Sequence, residues 1–240
     1  MLGHHHSERW AEDLRTPSVL NLADRVENFD RVAAEFKPYG FDCRRMVGNV
    51  GGRPCIAITK DHLHFVKKAK QGGLPCAFLF EDDCQPCSAM DQWGAVAGFL
   101  ERNSGDWDLF YGGATMVHPV RWICGFRNPG VEIVECRHAL SVHFVVYNES
   151  SYERALGWFD LPQPEEARPA IDTWLAQIGL RIWTTTPALA VQRPSFSNSL
   201  GMDVDYSGYF ERANAKLENF VGMRRGSLTY RLLGKFLKKF

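Results

Sequence analysis

Cys76-Ala77-Phe78-Leu79-Phe80 is an unbroken apolar run that ends abruptly in Glu81-Asp82-Asp83. With Gly72-Gly73 and Pro75 ahead of it, the run reads as a strand buried on both faces. Such a strand needs covering layers above and below, which helices supply in a largely parallel α/β sheet. Its three carboxylates then stand where the chain leaves the core, the edge at which open α/β sheets bind ligands. Like charges packed together repel unless a cation or a ligand neutralises them. Hard oxygen donors of this kind suit magnesium or manganese, which often bridge to substrate phosphates. A solvated acidic turn is the plain alternative.

The rest of the chain sets bounds on that reading. Its 240 residues suffice for one large domain with a sizeable core, and 45% of them are apolar. The 28 basic and 28 acidic residues balance, so no overall field points to nucleic acid. No apolar stretch approaches the roughly 20 residues that span a bilayer, and the N-terminus has no apolar signal-peptide core. Seven cysteines, an odd and sparse set, read as reduced thiols of a cytoplasmic protein. Cys84-Gln85-Pro86-Cys87 has no second pair at zinc-site spacing.

Strands and helices alternate along the chain. Ser18 to Leu22 reads as a first strand. Asp24 is then an N-cap, with Glu27 three residues on, before Val26, Phe29, Val32, Ala33 and Phe36 recur at helical spacing. Pro38 and Gly40 end that helix, and Val47 to Pro54 is a breaker-rich loop. Ile58, His62, Phe65 and Ala69 mark the next helix; Trp93, Ala97 and Leu100 mark another. Trp107 to Tyr111 and Val142 to Tyr147 read as strands. Ser150 and Glu153 form a capping-box signature, and Pro169 suits a first helical turn before Ile171, Trp174, Leu175 and Ile178. Gly179 closes that helix. Ile182 to Trp183 and Ala188 to Val191 are short strands.

Three segments follow from this pass. Residues 1–17, which include the consecutive His4-His5-His6 of a tag remnant or a natural sequence, read as an N-terminal extension. Residues 18–200 form the α/β domain, and residues 201–240 a basic amphipathic tail. From Gly222 to Phe240 there are basic residues and no acidic one, with Leu228, Leu232, Phe236 and Phe240 on one helical face. A helix of this type lies on an anionic membrane surface, docks on a partner, or covers a patch of its own domain.

Taken in order, several of these elements resemble glycosyltransferase family 25, which includes lipooligosaccharide and collagen galactosyltransferases. Val19-Leu20-Asn21-Leu22 with Arg25 is similar to that family's opening I-N-L-x-x-R. Ile56 to His62 corresponds to its G-C-x-x-S-H, and Phe78 to Asp83 to its I-L-E-D-D. Trp107 to Gly112 resembles W-D-x-x-x-L-G, and His143 to Val146 resembles H-A-Y-I-I. Ile171-Asp172 is similar to the late P-I-D, and Pro187 to Ser199 to the closing P-x-L-x-x-Q…S. The likeness departs at Ala57-Ile58 and Asp61, where the family has Gly-Cys and Ser, and at Phe144, where it has alanine.

The resemblance implies a GT-A-like, Rossmann-related fold and a metal-dependent inverting transfer. The donor would be a UDP-sugar, with galactose or glucose as the hexose, and the acceptor a glycan or a protein hydroxyl, as in lipopolysaccharide biosynthesis. Manganese or magnesium would be held by Asp83, which lies furthest from the strand, together with Glu81. Asn21, Leu22, Arg25, Glu81, Asp82, His62 and His143 would line the donor site. Glu81 or Asp82 would hold the ribose or a metal-bound water. Arg25 fits a phosphate contact or a helix-surface ion pair; His62 and His143 fit ligand contacts or hydrogen-bonded core histidines. Asp172 is the candidate general base, and an acidic residue in a first helical turn also fits the helix dipole alone. Gln192 and Ser197 to Ser199 would complete a late polar loop. Two other functions fit the same residues: a non-catalytic sugar-nucleotide or glycan-binding relative, and a metal-dependent phosphohydrolase.

Overall fold

The computed structural model describes residues 10, 12–49, 51–126, 130–197 and 201–237, with side chains described as far as 226. Its centre is an eight-stranded mixed sheet in the order β2-β1-β3-β8-β5-β9-β7-β6. These strands are β1 (Ser18–Asn21), β2 (Arg44–Val47), β3 (Cys76–Glu81), β5 (Leu109–Tyr111), β6 (Met116–Phe126), β7 (Val131–Leu140), β8 (Phe144–Asn148) and β9 (Ile182–Thr186). By their pairing, β2, β1, β3, β5 and β9 run one way. β8 is inserted against the grain between β3 and β5, and β7 turns back along β9. Two small ribbons, β4 (Cys84–Pro86) with β10 (Ala190–Gln192) and β11 (Ser195–Ser197) with β12 (Met202–Val204), lie outside this sheet.

The apolar run is the strand it was expected to be. Alternate residues feed opposite faces: Ala77 and Leu79 join one buried cluster, and Cys76, Phe78 and Phe80 join the other. Over the first face lie α2 (Pro54–Gln71) and α5 (Ile171–Gln177), which contribute Ile56, Leu63, Val66, Ile171 and Leu175. Over the second lie α1 (Val26–Phe36) and α3 (Trp93–Arg102), contributing Val32, Phe36, Val96 and Leu100. Phe144 meets Phe36, Phe78, Phe80, Phe110 and Trp93 at ring-centroid distances of 4.8–6.4 Å. A Cβ on Gly112 would lie 2.5 Å from that ring, so the large Phe144 and the bare Gly112 fit as a pair.

Several local expectations are corrected. Arg25, not Asp24, is the N-cap of α1, with no side-chain capping bond. The Ser150/Glu153 capping box does not form. Asn148 Oδ1 instead accepts from Ser150 N, Ser150 Oγ donates to Asp108, and Glu153 pairs with Lys70. The helix that follows, α4 (Tyr152–Leu156), is a single short turn. Pro169 lies just ahead of α5, whose N-cap is Ala170. Within the N-terminal extension, Trp10 and Leu14 are buried, Trp10 packs edge-on to Trp107 at 5.9 Å, and Trp93 Nε1 donates to the Leu14 carbonyl. Val47 belongs to β2 and Pro54 to α2, so the breaker-rich loop is shorter than expected.

The tail divides. α6 (Ser207–Leu237) buries Phe210, Ala213, Leu217 and Val221 against the domain, while Gly222 to Gly226 are exposed. The first half of this helix therefore covers its own sheet. Of the apolar face, Leu228, Leu232 and Phe236 lie in α6 past the last described side chain, and Phe240 lies outside the described residues. No helix among the described residues is long and apolar enough to cross a membrane. All seven cysteines are thiols; in the C-x-x-C pair Cys84 opens β4 and Cys87 follows it, and neither opens an α-helix.

At the opposite end of the sheet from the carboxylates, Asp108 is 1% exposed and ties the chain together. It accepts from Arg181 N at 2.8 Å and from Ser150 Oγ at 2.7 Å, and it pairs with Arg154 and Arg181. Burial alone would push this carboxyl up, but the bonds from Arg181, Ser150 and Arg154 outweigh it and hold it well below the usual carboxylate range. A depressed folded pKa adds stability that is present above the unfolded value near pH ~4 and lost as pH falls below it. Asp108→Asn is expected to cost about 2–3 kcal/mol at pH 7, measured by urea unfolding, and to flatten the acid limb below pH ~4. An unchanged acid limb would remove Asp108 from this role.

Candidate functional site

The order β2-β1-β3 makes the site. The chain passes from β1 through α1 to β2 at the sheet edge, then returns through α2 over β1 to β3. The connection leaving β1 (α1) and the one entering β3 (α2) thus cover opposite faces, and the adjacent carboxyl ends of β1 and β3 border a crevice. Asn21 closes β1 and Glu81 closes β3, with Leu20 paired to Glu81 in the register.

The turn after β3 separates the three carboxylates: Glu81 and Asp83 meet Gln192 on one side, and Asp82 meets Asn21 and Asn28 on the other. Asp82 Oδ2 accepts from Asn21 Nδ2 at 2.9 Å and from Asn28 Nδ2 at 3.3 Å, across the crevice toward β1 and α1. On the opposite side, Gln192 Nε2 lies between Glu81 Oε2 (3.5 Å) and Asp83 Oδ2 (3.4 Å). Ser195 Oγ approaches the same Asp83 oxygen at 3.4 Å. Gln192 reaches this position because β10 pairs with β4, which sets Gln192 opposite Cys84. A Cβ on Gly113 would lie 2.2 Å from the Ala190 carbonyl, so only glycine admits β10 so close.

Burial raises both Glu81 and Asp83, and neighbouring carboxylates add to it: Asp82 and Asp172 for Glu81, Glu81 and Asp82 for Asp83. Asp83 Oδ1 is buried without a hydrogen-bond partner. An anionic oxygen left in that state calls for a cation.

His62 enters from α2, fully buried, with Nδ1 2.9 Å from the Tyr147 hydroxyl and Nε2 3.4 Å from Glu81 Oε1. Burial lowers its pKa to about 4, against the pull of Asp61 and Asp172. With Nδ1 engaged by the Tyr147 hydroxyl, Nε2 faces Glu81 without a hydrogen-bond partner of its own, so His62 stands as a neutral ring behind the carboxylate. Asp172, in the first turn of α5, lies within electrostatic reach of Glu81, His62 and Tyr111. That follows from topology: α5 runs back along the sheet before β9, so its N-terminus lies at the carboxyl edge. Asp172 Oδ1 accepts from Thr173 N at 2.6 Å.

The remaining expected residues fall in two groups. The Leu22 carbonyl and the Asn21 side chain are held by Arg45, and the Arg25 carbonyl accepts from Asn21 Nδ2 at 2.7 Å. These three form the β1 lip of the crevice. His143 is a strut instead: it is fully buried, Nδ1 lies 2.5 Å from Ser141 Oγ and Nε2 3.2 Å from the Ala190 carbonyl, and Phe210 packs edge-on. Burial lowers its pKa to about 4. Ser197 closes β11, whereas Asn198 and Ser199 lie outside the described residues. Asp61, where the resemblance expects serine, is buried and accepts from Asn49 N at 2.8 Å, fixing the loop after β2.

Sequence reading missed Arg45, Asn28, Tyr147 and Ser195. Asn28 sits seven residues after Asn21 with no pattern to mark it, and Tyr147 looks like any strand aromatic. Tyr206 also lies near the acidic side; burial, then Asp83, Glu81 and Asp172, raises its pKa.

No protein-family model and no curated protein matches the chain. Among solved structures it is similar to a glycosyltransferase involved in the glycosylation of the major capsid of PBCV-1 (10% identical over 77% of this chain and 95% of that one, TM-score 0.49). It is also similar to mannose-1-phosphate geranyltransferase from Thermus thermophilus (12% identical over 74% and 61%, TM-score 0.39). A third is HddC from Yersinia pseudotuberculosis (11% identical over 88% and 83%, TM-score 0.38). At TM-scores below 0.5 these likenesses say nothing of the chemistry of this chain's own side chains.

Proposed function

We propose that the chain is a metal-dependent glycosyltransferase with a GT-A-like fold, related to glycosyltransferase family 25. It would move a hexose, galactose or glucose, from a UDP-sugar to a hydroxyl of a glycan or protein. The observation that carries this reading is the pair of partly buried carboxylates, Glu81 and Asp83, at the crevice, with Asp83 Oδ1 itself buried and lacking a partner.

Among the described residues no group of three or more His, Cys, Asp or Glu side chains is disposed to hold a metal ion. A two-carboxylate set still fits manganese or magnesium, which are commonly held by one or two carboxylates plus substrate phosphates. Asp83 and Glu81 would hold the cation, and its chemistry would be to neutralise the departing diphosphate. Asn21, the Leu22 backbone and Asp82, on the other side of the strand, would receive the nucleoside. That division supports giving Asp82 rather than Glu81 to the ribose. His62 would keep Glu81 aimed. Asp172 would take the acceptor's proton at Oδ2, since Thr173 occupies Oδ1. Burial of the pair strengthens every charge interaction made there.

Melting of the protein against UDP-galactose, UDP-glucose and other nucleotide sugars, each with and without manganese, tests the reading. A ligand at a hundred times its Kd adds about 2.7 kcal/mol, which for this size raises Tm by roughly 5–10 °C. The expected result is a rise with one UDP-sugar that requires manganese. No rise with any donor would overturn the proposal.

A further inference from the structure

We propose that Arg45 is a positioning residue for the nucleoside half of this site, acting through Asn21 on Asp82; the inference rests on the nucleotide-sugar reading above. Arg45 lies on β2, in the register position beside Val19. Its Nε donates to Asn21 Oδ1 at 2.8 Å, and one terminal nitrogen donates to the carbonyls of Leu22 and Ala23 at 3.0 Å each. A guanidinium has donors only, so the Asn21 atom that faces it is the oxygen. The amide is thereby oriented, and both Nδ2 hydrogens are committed: one to Asp82 Oδ2 at 2.9 Å, the other to the Arg25 carbonyl at 2.7 Å. Reversed, the amide would set its oxygen against the Asp82 carboxylate and the Arg25 carbonyl, two repulsive contacts.

The chain of bonds from Arg45 through Asn21 to Asp82 spans the crevice between β1 and β3. Asn21 is 1% exposed, so water does not compete for its amide. Arg45 therefore fixes two things together: the path of residues 21–23 at the lip, and the direction of Asp82. Its hydrogen bonds go to Asn21, Leu22 and Ala23, on the β1 side of the crevice. Its effect should fall on the nucleoside and leave the cation pair alone. A planar fork is needed to reach a side-chain oxygen and two carbonyls at once; a lysine ammonium keeps the charge without that geometry.

The test is calorimetric titration of the wild type, Arg45→Lys, Arg45→Met, Asp82→Asn and the Arg45→Lys/Asp82→Asn pair with UDP in excess manganese, and with manganese alone. Arg45→Lys should weaken UDP roughly tenfold and leave manganese binding unchanged. The double variant should bind UDP no more weakly than Asp82→Asn, because the two residues act in series. Losses that multiply would overturn the inference, since Arg45 would then brace the loop independently of Asp82. An Arg45→Lys variant that binds UDP like the wild type would also overturn it. If Arg45→Met fails to fold, Arg45→Lys carries the comparison. A wild type that binds manganese but not UDP would sink the nucleotide reading itself, and this inference with it.

Discussion

Asp83→Asn is expected to abolish manganese-dependent sugar transfer while raising the melting temperature of the metal-free protein by about 2–4 °C at pH 8. The two effects come from one cause. Asp83 Oδ1 is buried and unpartnered, and Glu81 and Asp82 crowd it with like charge. Burial first, and then those carboxylates, push its pKa up to about 8. A folded carboxyl that holds its proton more tightly than the unfolded one adds full stability below pH ~4 and loses it as pH rises toward 8. Asparagine has no proton to lose, so the variant should lack that decline, of which even one pH unit is worth about 1.4 kcal/mol. The amide is also a poor ligand for a hard cation. Losing several kcal/mol of charge stabilisation would lower turnover by roughly three orders of magnitude. Melts from pH 5 to 9, with and without manganese chloride, read both effects. Manganese should raise the wild-type Tm and leave the variant unmoved; a variant that melts lower and still transfers sugar would refute the assignment.

That trade of stability for a charged site was legible in the sequence because it was written in consecutive residues. Phe80 followed by Glu81-Asp82-Asp83 declares a buried strand ending in repulsion. The helices were legible where Gly or Pro bounded a clear apolar face, as at Gly179 after α5, whose φ is +69°. What escaped was the sheet's two edges. β2 is Arg44-Arg45-Met46-Val47, half of it basic and none of it fully buried, too short to show an alternation. The β6–β7 hairpin carries Pro119 and Gly125, and its register shifts at three places, so period-two alternation breaks down along β6. Those are ordinary properties of edge strands, which must discourage further pairing.

The site divides along the same line. Asn21, Glu81, Asp82, Asp83 and Asp172 stood out because they end an element or open one. Arg45 and Asn28 did not, because their importance lies in what the fold sets opposite them. His143 takes the second of the two roles open to it, that of a hydrogen-bonded core histidine. A histidine inside a strand invites a ligand role, yet Ser141 and the Ala190 carbonyl take both its nitrogens. Trp10 and Leu14, four residues apart, carried a helical signal that the neighbouring histidines obscured, and the second core claims both.

Asp172→Asn should lower kcat by roughly 10²–10⁴-fold and leave UDP affinity within about twofold of the wild type. The substitution is suited to separating two roles for this carboxylate. If Asp172 serves only the helix dipole of α5, asparagine should cost about 0.3–1 kcal/mol of stability and nothing in transfer. If it takes the acceptor's proton, asparagine keeps the Oδ1 acceptor for Thr173 N and removes the basic oxygen alone. Stability should then change little, because the lost dipole contribution is offset by relief of repulsion on Glu81, which Asp172 helps to raise. Single-turnover transfer with saturating acceptor isolates the chemical step from donor binding and product release. A slow chemical step with normal donor affinity identifies the base. A variant that transfers at the wild-type rate, whatever its Tm, would move the base elsewhere along the crevice, and Tyr206 would be next to examine.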